Sequence, residues 1–134
     1  MKKDIYFPKV EGISVAVIRK FNEANFPEWY VYLINNNDFY IHNVIVTSRG
    51  YGEIDGEQRG TSTLRQHFDG LESQSFLLIE PIDPSVFPLY NEYWVSYYIG
   101  SQIYDKRFTF VPESIVESNL MSIDLLNMEG ILHK

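Results

Sequence analysis

Arg49, Arg59, Arg65 and His67 fall in one glycine-bearing stretch and bracket Thr61-Ser62-Thr63. Guanidinium forks grip carboxylate or phosphate through paired N–H donors. Convergence of these four side chains would make a small anionic-ligand site or an enzymatic one. The same stretch carries Glu53, Asp55 and Glu57, with Asp69 close behind. Those carboxylates can instead neutralise the arginines one at a time. A second group is aromatic: Tyr93, Tyr97, Tyr98 and Tyr104. Tyrosine joins an apolar ring to a hydrogen-bonding tip and is enriched at protein interfaces, so this group reads as a contact surface. Cross-strand pairing on a wet sheet face is the alternative.

Other chemistries have less to work with. His42 lies in an apolar strand pattern and reads as a satisfied imidazole, and His133 lies close to the last residue. No His-x-His or His-x3-His pair is present to start a metal site. A Gly-x-Ser-x-Gly nucleophile elbow is absent. Glu80 with Asp83, or Asp55 with Glu57, would suit paired-carboxylate hydrolysis only at the right separation, and their loop setting reads as solvated charge. The segment Gly50 to Arg59 is glycine-rich but lacks Gly-Lys-Ser/Thr, and its acids would repel phosphate. No cofactor motif and no metal set emerges.

The elements that must position these residues are strands. Gly12 to Lys20 alternates Ile13, Val15 and Val17 with Ser14, Ala16 and Ile18. Trp29 to Ile34 and Phe39 to Thr47 flank Asn35-Asn36-Asn37-Asp38, the pattern of a β-hairpin. The second arm is apolar on both faces, which places it centrally in a sheet or bends it between two layers. Asp55-Gly56 suits a type I′ turn, giving an exposed ribbon, or else the stretch from Ser48 to Thr63 is a long loop. Ser75 to Ile79 reads as a buried strand ended by Pro81. Glu92 to Ile99 and Gln102 to Val111 alternate around Gly100-Ser101 and form a second hairpin. A closing strand falls between Ser114 and Asp124, and Leu125 to Lys134 is open between strand and short helix. The spacing predicts an all-β, antiparallel β-sandwich of about six to eight strands, immunoglobulin- or fibronectin-like, spanning residues 1–134 as one domain.

Composition agrees and sets exclusions. The chain has 134 residues, 16% of them aromatic, with 10 Tyr and 9 Phe, the types that suit a pleated, half-buried surface. Eleven basic against 18 acidic residues give a net charge of −7. Nucleic acid and anionic membranes are unsuited to such a chain, because they demand basic surface. Cysteine is absent, which removes disulfides, thiolate catalysis and zinc–thiolate sites. Met1-Lys2-Lys3 opens like a signal peptide, but Asp4, Pro8, Lys9 and Glu11 interrupt the apolar stretch it would need. No apolar window approaches the roughly 18 residues that span a bilayer. The expected location is cytoplasmic.

Tyr32-Leu-Ile-Asn-Asn-Asn-Asp-Phe-Tyr40 resembles the strand–turn–strand of β-sandwich modules in Bacteroidetes proteins, some of which accompany Smr-type nuclease domains. Ile79-Glu-Pro-Ile-Asp-Pro-Ser-Val-Phe-Pro-Leu89 fits the same layout. Over most of its length the chain is similar to small stand-alone Bacteroidetes proteins that sometimes carry the label phenylalanyl-tRNA synthetase α subunit. The resemblance implies a sandwich module. It transfers no catalytic residue, since a class II synthetase needs an ATP-clamping arginine motif and a domain about twice this size. The function expected is a non-catalytic protein-interaction or self-association module, acting through the tyrosines, the Arg49–Arg65 loop or an open strand edge. The alternative is the anionic-ligand or enzymatic site at Arg49, Arg59, Arg65 and His67.

Overall fold

A computed structural model describes residues 8–134. Ten strands follow in order: β1 (Ile13–Phe21), β2 (Pro27–Asn35), β3 (Ile41–Ile54), β4 (Glu57–Gly60), β5 (Leu64–Leu71), β6 (Ser75–Pro81), β7 (Tyr90–Ile99), β8 (Gln102–Phe110), β9 (Met121–Ile123) and β10 (Met128–His133). Every pairing is antiparallel. The first sheet runs β6-β2-β1-β10-β9. The second is built on β3, which pairs with β7 along one edge and β7 with β8. The other edge of β3 is shared end to end: β5 takes Ile41 to Ser48 and β4 takes Tyr51 to Ile54. The result is a two-sheet sandwich. The strand count exceeds the expected six to eight because short β4 and β9 each form a ladder of their own.

The inner faces meet in one core. Val15, Val17, Val31, Leu33 and Ile131 from the first sheet pack with Val44, Val46, Val95, Tyr97 and Phe108 from the second. Each such side chain contributes roughly 1.5–3 kcal/mol when fully buried. The first sheet also carries apolar side chains on its outer face, where Ala16, Ile18, Tyr32 and Ile34 cluster with Ile123 and Leu126. That double coverage explains why β1 reads as apolar from Ile13 to Ile18.

The predicted hairpin from Trp29 to Thr47 is not a hairpin. β2 pairs with β1 and β6, and β3 belongs to the other sheet. The segment from Asn36 to Tyr40 is therefore an arch that carries the chain across the sandwich. Asn35 ties it down: its Nδ2 donates to the carbonyls of Phe39, Leu71 and Glu72 at 3.0–3.2 Å, and its Oδ1 accepts from the Asn37 backbone N–H at 3.0 Å. A buried amide with this many partners satisfies backbone groups that the missing ladder leaves open.

The other turns follow the sequence. Asp55 (φ 52) and Gly56 (φ 79) are both left-handed, which a type I′ turn requires, and they close the β3–β4 ribbon. β7 and β8 form a hairpin with Ile99 opposite Gln102. Two of the exposed edges, β8 and β9, resist strand addition. β8 is an edge strand with Lys106 on its core-facing side, opposite Val95, and β9 is three residues long. Inward charge and short edge strands both discourage pairing with another chain. Among the described residues, no helix is long and apolar enough to cross a membrane.

Candidate functional site

Two concave surfaces draw on the second sheet, one on its outer face and one at its open edge. Alternation along β3 turns Val44, Val46 and Ser48 inward and Ile45, Thr47, Arg49 and Tyr51 outward. Registers then set the outer face in rows across the strands. Arg65, Thr47, Trp94 and Arg107 form one row, and His67, Ile45, Ser96 and Asp105 the next. Thr47 and Ser96 are short, so the face dips between them. The depression holds about 250 Å³ and is walled by Trp94, Arg65, Ile103 and Asp105. Trp94 is 39% exposed. The Arg107 guanidinium lies 4.4 Å from its ring centroid, a cation–π contact that holds both side chains in place.

The rows on either side extend the pattern. Arg49 Nε donates to Glu92 Oε2 at 3.0 Å, and its guanidinium stacks 4.9 Å over Tyr51. Tyr51 in turn stacks on Tyr90 at 5.4 Å. At the other end the His42 ring lies between Tyr40 and Tyr98, with Nε2 2.9 Å from the Gly100 carbonyl. His42 is therefore a satisfied imidazole within an aromatic run.

The predicted arginine cluster does not converge. Arg49 is held by Glu92, and Arg59, out on the β3–β4 ribbon, donates to Glu57 at 3.0 Å. Arg65 and His67 share the outer face on β5, opposite Thr47 and Ile45, and among the described residues neither makes a salt bridge. The reason is geometric: β4 and β5 lie end to end along β3, so their side chains are spread along one edge.

The predicted tyrosine surface is corrected as well. Tyr93 and Tyr97 are 2% and 1% exposed and belong to the core. Tyr104 is half-buried and stacks on Tyr97 at 5.3 Å. Of the four, Tyr98 alone sits on the outer face, because even-numbered residues of β7 point away from the core. Burial pushes the Tyr93 and Tyr97 phenols well above the usual tyrosine range, and the Glu80 carboxylate adds to this at Tyr93. The folded-state pKa is raised, so stability is intact below pH 10 and falls as pH rises beyond it. Both phenols should therefore ionise only in the alkaline transition that unfolds the chain. A near-UV absorbance titration run beside far-UV circular dichroism checks this. Ionisation of all ten tyrosines with the dichroism intact would count against it.

The second concavity is a cleft of about 390 Å³ between the sheets, at the gap that β4 and β5 leave beside Gly50. Thr61 closes that gap, its Oγ1 accepting from Gly50 N–H at 2.7 Å and its own N–H donating to the Gly50 carbonyl at 2.9 Å. Glu80 reaches in from the edge of the first sheet. It accepts a hydrogen bond from Ser48 Oγ at 2.7 Å, and its charge lies near enough to the Tyr93 hydroxyl to help raise that phenol's pKa. Asp83 stands at the rim. Its carboxylate accepts from Ser85 N–H at 2.8 Å, which caps the 3-10 turn at Pro84–Val86 and holds its pKa below the ordinary value. Glu80 and Asp83 thus each hold a separate local structure.

Trp94, Arg107 and Asp105 escaped the sequence reading although a signal was available. Counting outward from Gly100-Ser101 pairs Trp94 with Arg107 and Ser96 with Asp105 on the face that also carries Tyr98. Among the described residues no group of three His, Asp or Glu is placed to hold a metal ion. The outer face presents a ring stack, the Arg65 guanidinium, a carboxylate and two hydroxyls. No family model matches the chain, and neither does any curated protein or solved structure.

Proposed function

We propose that this protein is a non-catalytic protein-interaction module that binds its partner through the outer face of the second sheet. The observation that carries the reading is the make-up of that face. It gathers Trp94, Tyr98, Tyr51 and Tyr90 with Arg49, Arg65 and Arg107, three of the five arginines in the chain. Tryptophan, tyrosine and arginine dominate the energetics of protein interfaces, and lysine and glutamate are depleted there. In a chain of net charge −7, this face concentrates three arginines, interspersed with the carboxylates of Glu92, Asp105 and, by alternation along β5, Asp69. The partner that suits it presents apolar side chains beside carboxylates, one seated in the depression against Trp94 and another on Arg65. Electrostatic complementarity of this kind raises association rates and fixes register. Self-association through strand addition at β8 or β9 is the weaker route, given the inward Lys106 and the short β9.

The test is a pair of surface substitutions, Trp94→Ala and Arg65→Ala, made together. Arg65 is exposed, and Trp94 is 39% exposed but stacked on Arg107, so the double variant should lose about 1–2 kcal/mol of stability and stay folded. Capture of partners from native lysate should fall at least about tenfold, as expected when two central interface anchors are removed. Equal capture by both forms would sink the proposal. A shift to dimer in light scattering, lost in the double variant, would identify the partner as a second copy of the chain. The anionic-ligand reading at Arg49, Arg59, Arg65 and His67 is the less favoured, since two of its arginines already hold carboxylates.

A further inference from the structure

We infer that the open edge of β6 is a self-association surface, where a second copy of this chain adds its own β6 antiparallel and joins the first sheets of both copies. The inference starts from the backbone and is independent of the outer face of the second sheet. β6 is an edge strand, paired on one side with β2. Residues along an antiparallel strand bond alternately to the neighbour on either side. Asn36 N–H donates to the Gly12 carbonyl at 2.8 Å, and the Asn37 carbonyl accepts from Gln74 N–H at 3.2 Å. Even-numbered residues of β2 therefore bond towards β1 and odd-numbered ones towards β6. Ser75 and Leu77, opposite Asn35 and Leu33, turn their backbone groups to β2. Phe76 and Leu78 turn theirs the other way, and among the described residues no strand meets them.

The side chains leave this edge unguarded. Edge strands are ordinarily blunted by charge, by shortness or by a bulge. β8 has the inward Lys106 and β9 only three residues, while β5 carries Arg65, His67 and Asp69 and β4 carries Glu57 and Arg59. β6 runs Ser75-Phe-Leu-Leu-Ile79 before its first charge, Glu80, and its proline, Pro81. Its shift of register against β2 falls beyond Leu78, so Ser75 to Leu78 is regular strand. Phe76 and Leu78 are 41% and 45% exposed, and Phe76 stands edge-on to Tyr32 at 5.8 Å.

The strand is complementary to itself. A two-fold axis beside Leu77 sets Phe76 opposite Leu78 of the second copy, and Leu78 opposite its Phe76. These are the residues whose N–H and C=O groups face away from β2, so both pairs are of the hydrogen-bonded kind. Aromatic and aliphatic side chains then meet on the outer face, a favourable cross-strand pairing. The Glu80 carboxylates fall at opposite ends of the ladder and do not oppose each other. An isologous contact of this kind uses the bare edge of both copies, so the assembly closes at two. The contact is one strand wide, at the low end of specific interfaces, and two chains of net charge −7 repel. The dimer is therefore weak and tightens as salt screens that repulsion.

Sedimentation velocity tests this. The weight-average mass should climb from the monomer's towards the dimer's over roughly 10 µM to 1 mM chain, and more steeply in about 0.5 M than in about 0.05 M NaCl. Leu78→Lys puts a charge on the edge at an exposed position and should weaken the dimer at least about tenfold, with far-UV circular dichroism matching the parent. The chain has no cysteine, which allows a check of register. Leu77→Cys sets two thiols in a non-hydrogen-bonded pair, with Cα atoms about 4.5 Å apart, within disulfide reach. Oxidised glutathione should cross-link that variant and leave Leu64→Cys, exposed on β5, uncoupled. Trp94→Ala with Arg65→Ala should dimerise like the parent, which separates this edge from the interaction face. The inference fails if the chain is monomeric at the highest concentration, if Leu78→Lys dimerises as tightly as the parent, if salt dissolves the dimer, or if the Trp94 and Arg65 double variant abolishes it.

Discussion

Tyr97→Ala is expected to lower the unfolding free energy by about 3–5 kcal/mol, the range for truncating a large buried aromatic side chain. Among the described residues Tyr97 is the largest of the fully buried side chains. It sits between the sheets, stacked on Tyr104 from the neighbouring strand. Alanine would remove that contact and leave a void that close-packed neighbours such as Val95 and Phe108 cannot fill. Against a total stability of roughly 5–15 kcal/mol for a domain of this kind, the loss is a large fraction. It should appear as a lower urea midpoint with an unchanged slope. Tyr97→Phe keeps the ring and its stack, and among the described residues the Tyr97 hydroxyl makes no hydrogen bond, so its loss should stay below about 1 kcal/mol. The pair of variants decides between two roles. A contact residue would weaken partner capture at constant midpoint. A core residue lowers the midpoint first, and the alanine form then binds poorly only because less of it is folded.

Gly130→Ala is expected to be nearly as damaging, at about 3 kcal/mol, the upper end of the usual range for overpacking. Gly130 lies in β10 between Ile18 of β1 and Met121 of β9. A Cβ there would stand 2.5 Å from the Val17 carbonyl oxygen and 2.6 Å from Ile18 Cδ1. The carbonyl belongs to the centre of the first sheet and cannot move without opening the β1–β10 ladder. Gly70→Ala is the matched control. Its nearest obstruction is the Tyr40 ring, an exposed side chain that can swing aside. Equal thermal midpoints for the two variants would show that β10 is more loosely held than its ladder implies.

The strands were legible because alternation and turn residues are local. β1, β6, β7 and β8 stand where the patterns place them, and Asp55-Gly56 and Gly100-Ser101 turn as their chemistry demands. Pairing was not legible in the same way. Asn35-Asn36-Asn37-Asp38 suits a hairpin and an arch equally, since both need a polar reversal of a few residues. The choice is made by distant partners, the carbonyls of Leu71 and Glu72 that Asn35 reaches. The apparent double apolar face of β3 has a comparable origin. The ladder with β7 shifts between His42 and Ile45, where Asn43 is left-handed (φ 49). That bulge moves Ile41 onto the face shared by Val44 and Val46, so two half-faces read as one strand apolar on both sides.

The candidate surfaces were less legible for the same reason. Arg65 and His67 were visible by type, but their neighbours come from β7 and β8, whose place beside β3 no local pattern states. The tyrosines show the converse. Tyr93, Tyr97 and Tyr104 share one parity in their hairpin and Tyr98 the other, so the pattern sorts them into two faces without saying which face is wet. Glu80 was visible as a carboxylate beside prolines. Its hydroxyl partner, Ser48, belongs to the opposite sheet.

The ladder between β1 and β10, which sets Val15 beside His133, bears on how the chain is made. The centre of the first sheet joins its earliest strand to its latest, so ordering by ribosomal emergence fails here. β1 and β2 can zip as a local hairpin while synthesis continues, but their other edge waits, unpaired, until β10 has left the exit tunnel. Loop closure over that span is slow compared with hairpin formation. Through that interval the apolar strand β1 presents an open backbone edge, the state in which a nascent chain most needs a chaperone's cover.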